Sequence, residues 1–295
     1  MDLPFQPGIL DPVPAAGRYL SFRIRLPAAL REGLDELRGR TFGSEAVVGV
    51  GPAVVRSLGC EVEGLRELPA LAGPGVCSPS TPGALWVWLR GDEPGELFLR
   101  GRELAACLAP AFELVEEVGA FRHGPGRDLS GYEDGTENPT GPAAVEAAFV
   151  SGSGPGRDGS SFVAVQRWVH DFGRLAALRE EELDRIVGRR RSDNEELSDA
   201  PATAHVVRTA QEDFDPPAFL LRRSMPWVES EAGGLVFVAF GHSLDSFVAQ
   251  LRRMCGLDDG TTDALFGFTR PVTGSAYWCP PLAGSGRLDF TALGL

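Results

Sequence analysis

The sequence predicts an α+β fold made of two similar halves. Between residues 20 and 26, apolar and polar side chains alternate, which is the period of two expected of a half-buried strand. Helical spacing follows at once, because Leu30, Leu34 and Leu37 lie at positions i, i+4 and i+7 of residues 27–38. The same succession of strand and helix patterns begins again near residue 160.

The first half continues with two apolar runs of strand length, at 47–50 and 84–89. A helix is then predicted at 94–108 and a strand at 113–121. The order of elements is therefore β-α-β-β-α-β, which is the signature of a ferredoxin-like domain.

The second half repeats this order. We expect one helix at 172–187 and strands at 162–169, 204–209, 218–224 and 235–240. The last helix has the clearest pattern, because four apolar residues fall at helical spacing: Leu244, Phe247, Val248 and Leu251. The sequence thus predicts two ferredoxin-like domains with antiparallel sheets, at residues 1–123 and 160–295, in a dimeric α+β barrel-like arrangement.

Residues 124–159, between the two halves, are rich in glycine, proline and serine. They are too polar and too interrupted to predict a regular element, and they exceed the roughly dozen residues that connections rarely surpass. Long loops of this kind often carry functional residues. We therefore expect a functional loop plus a linker.

The composition excludes several classes of function. Every basic residue is arginine, which rules out a catalytic lysine, Schiff-base chemistry and a Walker A phosphate loop. With 28 Lys+Arg against 41 Asp+Glu, the formal net charge of -13 disfavours nucleic acid as a partner. No stretch approaches the roughly 18 consecutive apolar residues of a membrane-spanning helix, so no membrane association is expected.

Cysteine and histidine usage narrows the chemistry further. The five cysteines have no C-x-x-C spacing and the four histidines form no His-x-x-x-His pair, so a zinc site has no ligand set. An odd number of cysteines fits a reducing compartment. Residues 1–10 contain no basic segment followed by an apolar stretch, and we expect a cytoplasmic protein without an export signal.

Residues 131–139 read Gly-Tyr-Glu-Asp-Gly-Thr-Glu-Asn-Pro, which resembles the G-x-x-D-G-T-E-N-P signature of the dye-decolourising peroxidase family. Other segments resemble family segments in the same order: 6–10, 161–170, 186–189, the segment around His205, 221–226 and 268–274. The resemblance spans nearly the whole chain and is similar to the compact, cytoplasmic branch. It implies one heme b in the C-terminal domain and reduction of hydrogen peroxide through a ferryl intermediate, with dyes, phenolic or other small reductants oxidised.

The resemblance also implies roles for single residues. His205 matches the proximal ligand of the heme iron, and Asp134 matches a distal aspartate that shuttles the proton of peroxide. Arg222 matches a cation that stabilises charge on the departing oxygen. Because side chains alternate along a strand, Ser224 would share the face of Arg222, whereas Arg223 would point to the opposite face.

Further residues are implied to surround the heme. Asp263 is the candidate acceptor for the second N–H of the proximal imidazole, or else a helix-start residue that offsets the dipole. Arg189 matches a basic position that would meet a heme propionate. Three residues of the motif would lie against the heme edge: Gly135, Thr136 and Glu137. His170, which ends a predicted strand, is expected to be structural.

The reductant and the partners are less defined by the sequence. Large dyes cannot enter a narrow pocket, so an aromatic residue near the surface could relay electrons; the candidates by type are Tyr132, Trp168, Trp227 and Trp278, most of which we expect in the core. We expect a homo-oligomer. Residues 287–295 could dock to an encapsulating shell protein, but an ordinary packed terminus is favoured.

Two other interpretations stay open at this point. The chain could be a heme-handling protein whose peroxidase activity is incidental. It could also be a heme-free ferredoxin-like binding module, in which Asp134 and His205 are structural.

Overall fold

The computed structural model describes residues 4–40 and 42–295 of the chain. The strands are β1 (Ala16–Ile24), β2 (Ala46–Val50), β3 (Leu71–Gly73), β4 (Val76–Ser78), β5 (Leu85–Gly91), β6 (Phe112–Phe121), β7 (Ser161–His170), β8 (Leu221–Arg222), β9 (Met225–Glu229), β10 (Ala232–Gly241), β11 (Thr269–Pro271) and β12 (Ser275–Cys279). The helices are α1 (Leu30–Gly39), α2 (Pro52–Ser57), α3 (Pro94–Leu108), α4 (Gly141–Ala148), α5 (Phe172–Ala177), α6 (Glu180–Val187), α7 (His205–Arg208) and α8 (Asp245–Met254).

Eight of the strands close into a barrel. The ring runs β7-β12-β2-β5-β1-β6-β9-β10 and returns to β7, with antiparallel pairing throughout. Each half of the chain supplies four strands, and both halves arrange them in the same order. In the first half the order is β6-β1-β5-β2, and in the second half it is β12-β7-β10-β9, which is fourth, first, third and second along the chain in each case. The two halves meet at two seams of one residue pair each, Val50 with Trp278 and Ala120 with Trp227.

Aromatic side chains fill the inside of this barrel. Tyr19 stacks between Trp86 and Trp88, with ring centroids 6.1 and 5.8 Å away, and Tyr277 stacks on Trp86 at 6.0 Å. Because side chains alternate along a strand, the intervening residues of β5 face outward and pack under the helices. Strands β2 and β5 are therefore buried on both faces.

The elements predicted for the first half are confirmed. The four predicted strands correspond to β1, β2, β5 and β6, and the predicted helices to α1 and α3. The helix predicted to begin at Pro27 starts as a 3-10 turn at Pro27–Ala29, and α1 follows directly.

Three predictions for the second half were wrong in part. The strand predicted at 204–209 is the one-turn helix α7, closed by 3.0 Å hydrogen bonds from Arg208 N–H to the Ala204 carbonyl and from Thr209 N–H to the His205 carbonyl. Its β-branched valines favour a strand locally, but so short a run has no periodicity to decide between the two. Of the strand predicted at 218–224, only β8 is paired.

The helix predicted at 172–187 is interrupted between α5 and α6. Leu178 and Arg179 are extended, and each new helix start has its own cap. The Asp171 carboxylate accepts the N–H of Arg174 at 2.8 Å, and the Glu182 carboxylate accepts the N–H of Arg179 at 2.9 Å. The Asp171 cap satisfies a first-turn N–H of α5, and the Glu182 cap satisfies the N–H of Arg179, which a continuous helix would have paired internally.

Some elements have no counterpart in the predictions. Residues 124–159 contain helix α4, which buries Ala144, Ala147 and Ala148. A short, alanine-rich helix carries little apolar periodicity, so the segment reads as a loop from sequence. Strands β9 and β12, which complete the ring, were also missed. No helix within the described ranges is long and apolar enough to cross a membrane.

Segments near both ends of the described residues, at Gln6 and at 288–293, are packed into the fold. Near the carboxyl end, Leu288, Phe290 and Leu293 are buried, as expected of a packed terminus. Near the amino end, the amide of Gln6 bridges the seam between β2 and β12. It accepts the N–H of Val48 at 2.8 Å and donates to the carbonyls of Val48 and Pro280, each at 2.9 Å. Gln6 thus supplies hydrogen bonds where the two strands share a single residue pair.

We expect Gln6→Ala to lower the free energy of unfolding by about 2–3 kcal/mol, because the N–H and carbonyl of Val48 would stay buried without partners. Urea unfolding of the parent, of this variant and of Glu36→Ala, a change at an exposed position, measures the effect. A loss no larger than that of the Glu36 variant would show that the seam does not depend on the amide.

Candidate active site

A deep cleft lies between the outer face of β7 and β10 and the helices α6, α7 and α8. Its empty space, which includes open solvent at the mouth, is about 870 Å³. Its wall is mainly apolar, with contributions from Trp168, Leu235, Phe237, Phe247, Leu251, Met254 and Phe268. Three residues singled out from the sequence reach the same cleft, namely Asp134, His205 and Arg222.

His205 is the first residue of α7. Its Nδ1 lies 2.8 Å from Oδ2 of Asp263, whose carboxylate is completely buried. A buried carboxylate accepts the Nδ1 proton, which leaves the lone pair on Nε2 of the imidazole. Within the described ranges, the ring of His205 has no other hydrogen-bond partner. His205 is therefore held in the tautomer that can bind a metal through Nε2.

Asp263 makes both of the contacts considered for it, one with the imidazole of His205 and one at the start of a helical turn. While Oδ2 faces His205, Oδ1 accepts the N–H of Leu265 at 2.8 Å and caps the 3-10 turn Ala264–Gly267. Its own N–H donates to the carbonyl of Met254 at the end of α8, at 2.8 Å. The carboxylate that orients the imidazole is thus fixed by two elements of the C-terminal half.

Helix α7 has a second anchor in the same loop. Arg208 binds Asp259 with both guanidinium Nη atoms, at 2.7 and 2.9 Å, and donates to the Arg253 carbonyl at 2.6 Å. The hydrogen bond from Arg208 and that from the N–H of Thr261 lower the pKa of Asp259 to about 2. This carboxylate therefore stays ionised well into acid solution.

Asp134 and Arg222 form an ion pair on the cleft wall. The distance from Nη1 of Arg222 to Oδ1 of Asp134 is 3.5 Å, and both side chains are largely buried. Arg223 points elsewhere, since it donates to the carbonyls of Ile9 at 3.0 Å and Leu10 at 2.7 Å. The alternation expected of a strand thus separates the two arginines, and Arg222 is the one that lines the cleft.

Asn138, to which the sequence analysis gave no role, ties the Asp134 loop to β8. Its Oδ1 accepts the N–H of Arg222 at 2.8 Å, and its Nδ2 donates to the carbonyl of Arg222 at 2.9 Å. Gly135 makes this approach possible: its φ of +80° is in the left-handed region, and a Cβ would lie 2.7 Å from Asn138 Nδ2. The motif therefore fixes the aspartate and the arginine relative to each other.

A second carboxylate–histidine pair lines the cleft. Nε2 of His170 lies 2.9 Å from the Asp128 carboxylate, and Nδ1 lies 2.7 Å from the hydroxyl of Thr269. Burial raises the pKa of Asp128, but hydrogen bonding and charge from His170, together with hydrogen bonds from Ser130, outweigh it and hold that pKa below its usual range. Asp128 was not predicted; the sequence signal available was an aspartate six positions before Asp134 in the same loop.

A smaller concavity, the edge pocket, adjoins the cleft and is lined by Thr136, Glu137, Arg189 and Glu196 among others. Arg189 forms ion pairs with Glu137 and with Glu196, the latter at 3.1 Å. The hydroxyl of Thr136 accepts Nδ2 of Asn194 at 2.9 Å. Gly135 is not among the residues that line either concavity.

A third concavity, the vestibule, shares Asp128, Asp134, Arg222 and Leu235 with the cleft. Ser224 lies on the vestibule wall and not among the residues of the cleft, and its hydroxyl accepts the N–H of Val238 at 3.4 Å. Ser224 is therefore near the Asp134 and Arg222 pair, but on the vestibule side.

Residues 125–284, more than half of the chain, match the family described as Dyp-type peroxidase, C-terminal. The chain belongs to the Dyp-type peroxidase family. A dye-decolorizing peroxidase of Mycobacterium tuberculosis is 33% identical over 224 residues, covering 74% of this chain and 67% of the relative. Another, from Rhodococcus erythropolis, is 32% identical over 246 residues and covers 81% of this chain and 72% of its own.

Solved structures of Dyp-type peroxidases are similar over almost the whole chain. DypB from Rhodococcus jostii RHA1 gives a TM-score of 0.85 at 29% identity and covers 93% of this chain and 95% of its own. A variant of the same protein in complex with heme gives 0.86 at 29% identity, with coverage of 93% and 96%. The α+β architecture with its closed barrel is thus the architecture of the family.

The aromatic residues considered for electron relay are all buried in this Dyp-type peroxidase. Trp227 and Trp278 lie in the core, as expected for most of them, whereas Tyr132 and Trp168 line the cleft. The hydroxyl of Tyr132 donates to Asp184 at 2.6 Å, and burial together with this bond raises its pKa. Within residues 4–40 and 42–295, no three His, Cys, Asp or Glu side chains cluster so as to hold a bare metal ion.

We expect Asp128→Asn to destabilise the protein by about 2–4 kcal/mol at pH 7, because it leaves the buried His170 without its anionic partner. The pKa of Asp128 is lowered in the folded state, so its contribution is present above the unfolded pKa of about 3.9 and is lost as pH falls through the folded value. The difference in free energy of unfolding between variant and parent should therefore become smaller on acidification.

Urea unfolding at pH 7 and at acid pH tests this, with Asp92→Asn at an exposed position as the matched control. A difference that stays constant with pH would contradict a role of the ionised carboxylate.

Proposed function

We propose that the chain is a heme-dependent peroxidase, which reduces hydrogen peroxide and oxidises dyes, phenolic or other small reductants, with one heme b in the cleft. The observation that carries the proposal is that His205 and the Asp134–Arg222 pair line one apolar cleft. Heme, when bound, supplies the iron at which the O–O bond of peroxide is cleaved.

The residues of the cleft fit this group. His205 presents Nε2 to the cleft because Nδ1 is engaged by Asp263, and such a hydrogen bond raises the basicity of a ligating imidazole. The apolar wall suits the face of a macrocycle. We therefore assign His205 as the proximal iron ligand and Asp263 as the carboxylate that orients it.

Asp134 is assigned as the acid-base residue of the distal side. A carboxylate in this position can take the proton from one peroxide oxygen and return it to the departing oxygen. Arg222 is assigned to the negative charge that grows on that oxygen, since a guanidinium stays protonated at any working pH. Ser224 would donate a hydrogen bond from the vestibule side.

The edge pocket is assigned to the propionate side of the heme. Arg189 would bind a propionate there in place of the Glu137 carboxylate. The side chain of Glu137 is 62% exposed and can move into solvent. Thr136 and Glu137 would line the heme edge. Gly135 would act indirectly, by allowing the turn that brings Asn138 to Arg222.

We further infer that the two halves are duplicated ferredoxin-like domains, 1–123 and 160–295, joined by 124–159 and arranged as a dimeric α+β barrel. Their common strand order supports this. Free cysteines throughout the described ranges favour a reducing, cytoplasmic location. We expect a homo-oligomer; the packed tail favours an ordinary terminus over docking to a shell protein.

Loss of the imidazole should change the heme spectrum. We expect the heme-reconstituted parent to show a Soret band that shifts with one equivalent of hydrogen peroxide, and His205→Ala to show altered ligation that added imidazole reverses. Absorbance spectroscopy measures both. His242→Ala, at an exposed histidine, is the control and should resemble the parent. An unchanged spectrum in His205→Ala would mean that another residue holds the iron.

Asp134→Ala and Arg222→Leu should each slow the reaction with peroxide by about 10²–10⁴-fold, the usual share of one acid-base or charge-stabilising group. Stopped-flow absorbance after mixing with peroxide gives the rate. A resting spectrum like that of the parent verifies that the cleft is intact in each variant. Parent-like rates in both would refute the distal assignment.

A further inference from the structure

We propose that the vestibule is a binding site for a small aromatic carboxylate, and that an anionic aromatic molecule bound there is a reducing substrate. This inference rests on the proposed peroxidase function and adds to it a substrate class and a place.

The charge of the vestibule is opposite to that of the protein. The chain carries a formal net charge of -13, but four arginines and only two acids line the vestibule. Both acids already have a partner, since Asp134 lies 3.5 Å from Arg222 and Asp128 is hydrogen-bonded to His170 at 2.9 Å. Among the lining side chains the remaining arginines, Arg122, Arg127 and Arg223, leave a net positive charge, with Glu133 4.0 Å from Arg127 as the nearby carboxylate.

The partners of these three arginines leave capacity for an anion. Among the described residues, the guanidinium of Arg122 has no hydrogen-bond or ion-pair partner. Arg127 has Glu133 at 4.0 Å as its nearest carboxylate, and its Nε is buried without a hydrogen bond. Arg223 donates only to main-chain carbonyls; burial and the charge of Arg90 lower its pKa to about 10, so it is still protonated at neutral pH. A carboxylate is a planar anion that a guanidinium can bind through two parallel hydrogen bonds.

Five apolar residues, next to His123, Asn138 and Ser224, complete the vestibule wall and offer a surface for a ring. The five are Pro12, Val13, Pro125, Pro226 and Leu235. The empty space of the vestibule, which includes open solvent, is about 670 Å³. An aliphatic carboxylate would leave these surfaces uncovered, and a neutral aromatic would leave the arginines without a partner.

The location gives the ligand its role. Asp134 and Arg222 lie on the walls of both the vestibule and the cleft, so a ring in the vestibule lies beside the pair assigned to peroxide. Each hydrogen peroxide takes up two electrons and two protons and gives two waters. Two phenolic carboxylates would each lose one electron and the phenolic proton, and leave as phenoxyl radicals.

Binding is tested by calorimetric titration of the heme-reconstituted protein with benzoate and with the neutral isostere benzamide. We expect benzoate to bind the parent more tightly than benzamide does, and its affinity to fall with salt. Arg122→Gln and Arg127→Gln should each weaken the binding of benzoate by about 5- to 10-fold. This is the effect expected when one charge-assisted hydrogen bond is lost in a partly exposed site. Arg102→Gln, on α3 and outside the vestibule, removes the same charge and should leave the affinity unchanged.

Steady-state kinetics locate the effect in substrate binding. With para-hydroxybenzoate as the reductant, KM should rise in both vestibule variants while kcat stays the same, and with phenol neither should change. Benzoate affinity equal to that of the parent in both variants would overturn the proposal. So would a Soret shift on benzoate addition that persists in both, because the anion would then bind at the heme. Absence of turnover with either reductant in the parent would refute the peroxidase function and leave the binding result to stand by itself.

Discussion

Closure of the sheet is the constraint on which the rest of the molecule depends. A closed ring has an inner and an outer face, so alternate residues of β10 serve two purposes. Val236, Val238 and Phe240 join the aromatic cluster inside the barrel, while Leu235 and Phe237 form the floor of the cleft. A slip of one residue in strand register would exchange the two sets and remove the cleft. The packing inside the barrel therefore fixes the position of the site outside it.

Around this cleft, the fold sets two carboxylates, each with a basic side chain beside it, in different surroundings. Asp263 is completely buried and has both oxygens engaged, so it can only orient His205. Asp134 keeps partial contact with solvent and touches Arg222 at 3.5 Å, so it can exchange protons. In the proposed function the same carboxyl group would have a fixed role in one place and would transfer a proton in the other, and the difference lies in burial and in the number of hydrogen bonds.

Most elements of the first half could be predicted from the sequence, because strands such as β1 and helices such as α1 and α3 have clear apolar periodicity. It failed where tertiary contacts decide: α7 has a run too short to show a period, and β12 becomes a strand only by completing the ring. His205, Asp134 and Arg222, which the structure brings to one cleft, could be singled out because family-like segments surround them. Asp128 and the vestibule arginines could not, since the partners of a charged side chain are set by residues distant in the chain.

Asn138 has one more consequence, which concerns the lifetime of the protein. Asparagine residues age by deamidation when the main-chain nitrogen of the next residue attacks the side-chain amide. Here the next residue is Pro139, whose nitrogen carries no hydrogen and is closed in a ring. The amide that binds both main-chain groups of Arg222 is therefore protected from the reaction that would turn its donor into a carboxylate oxygen. The loop that carries Asp134 is held by a contact that is slow to decay chemically.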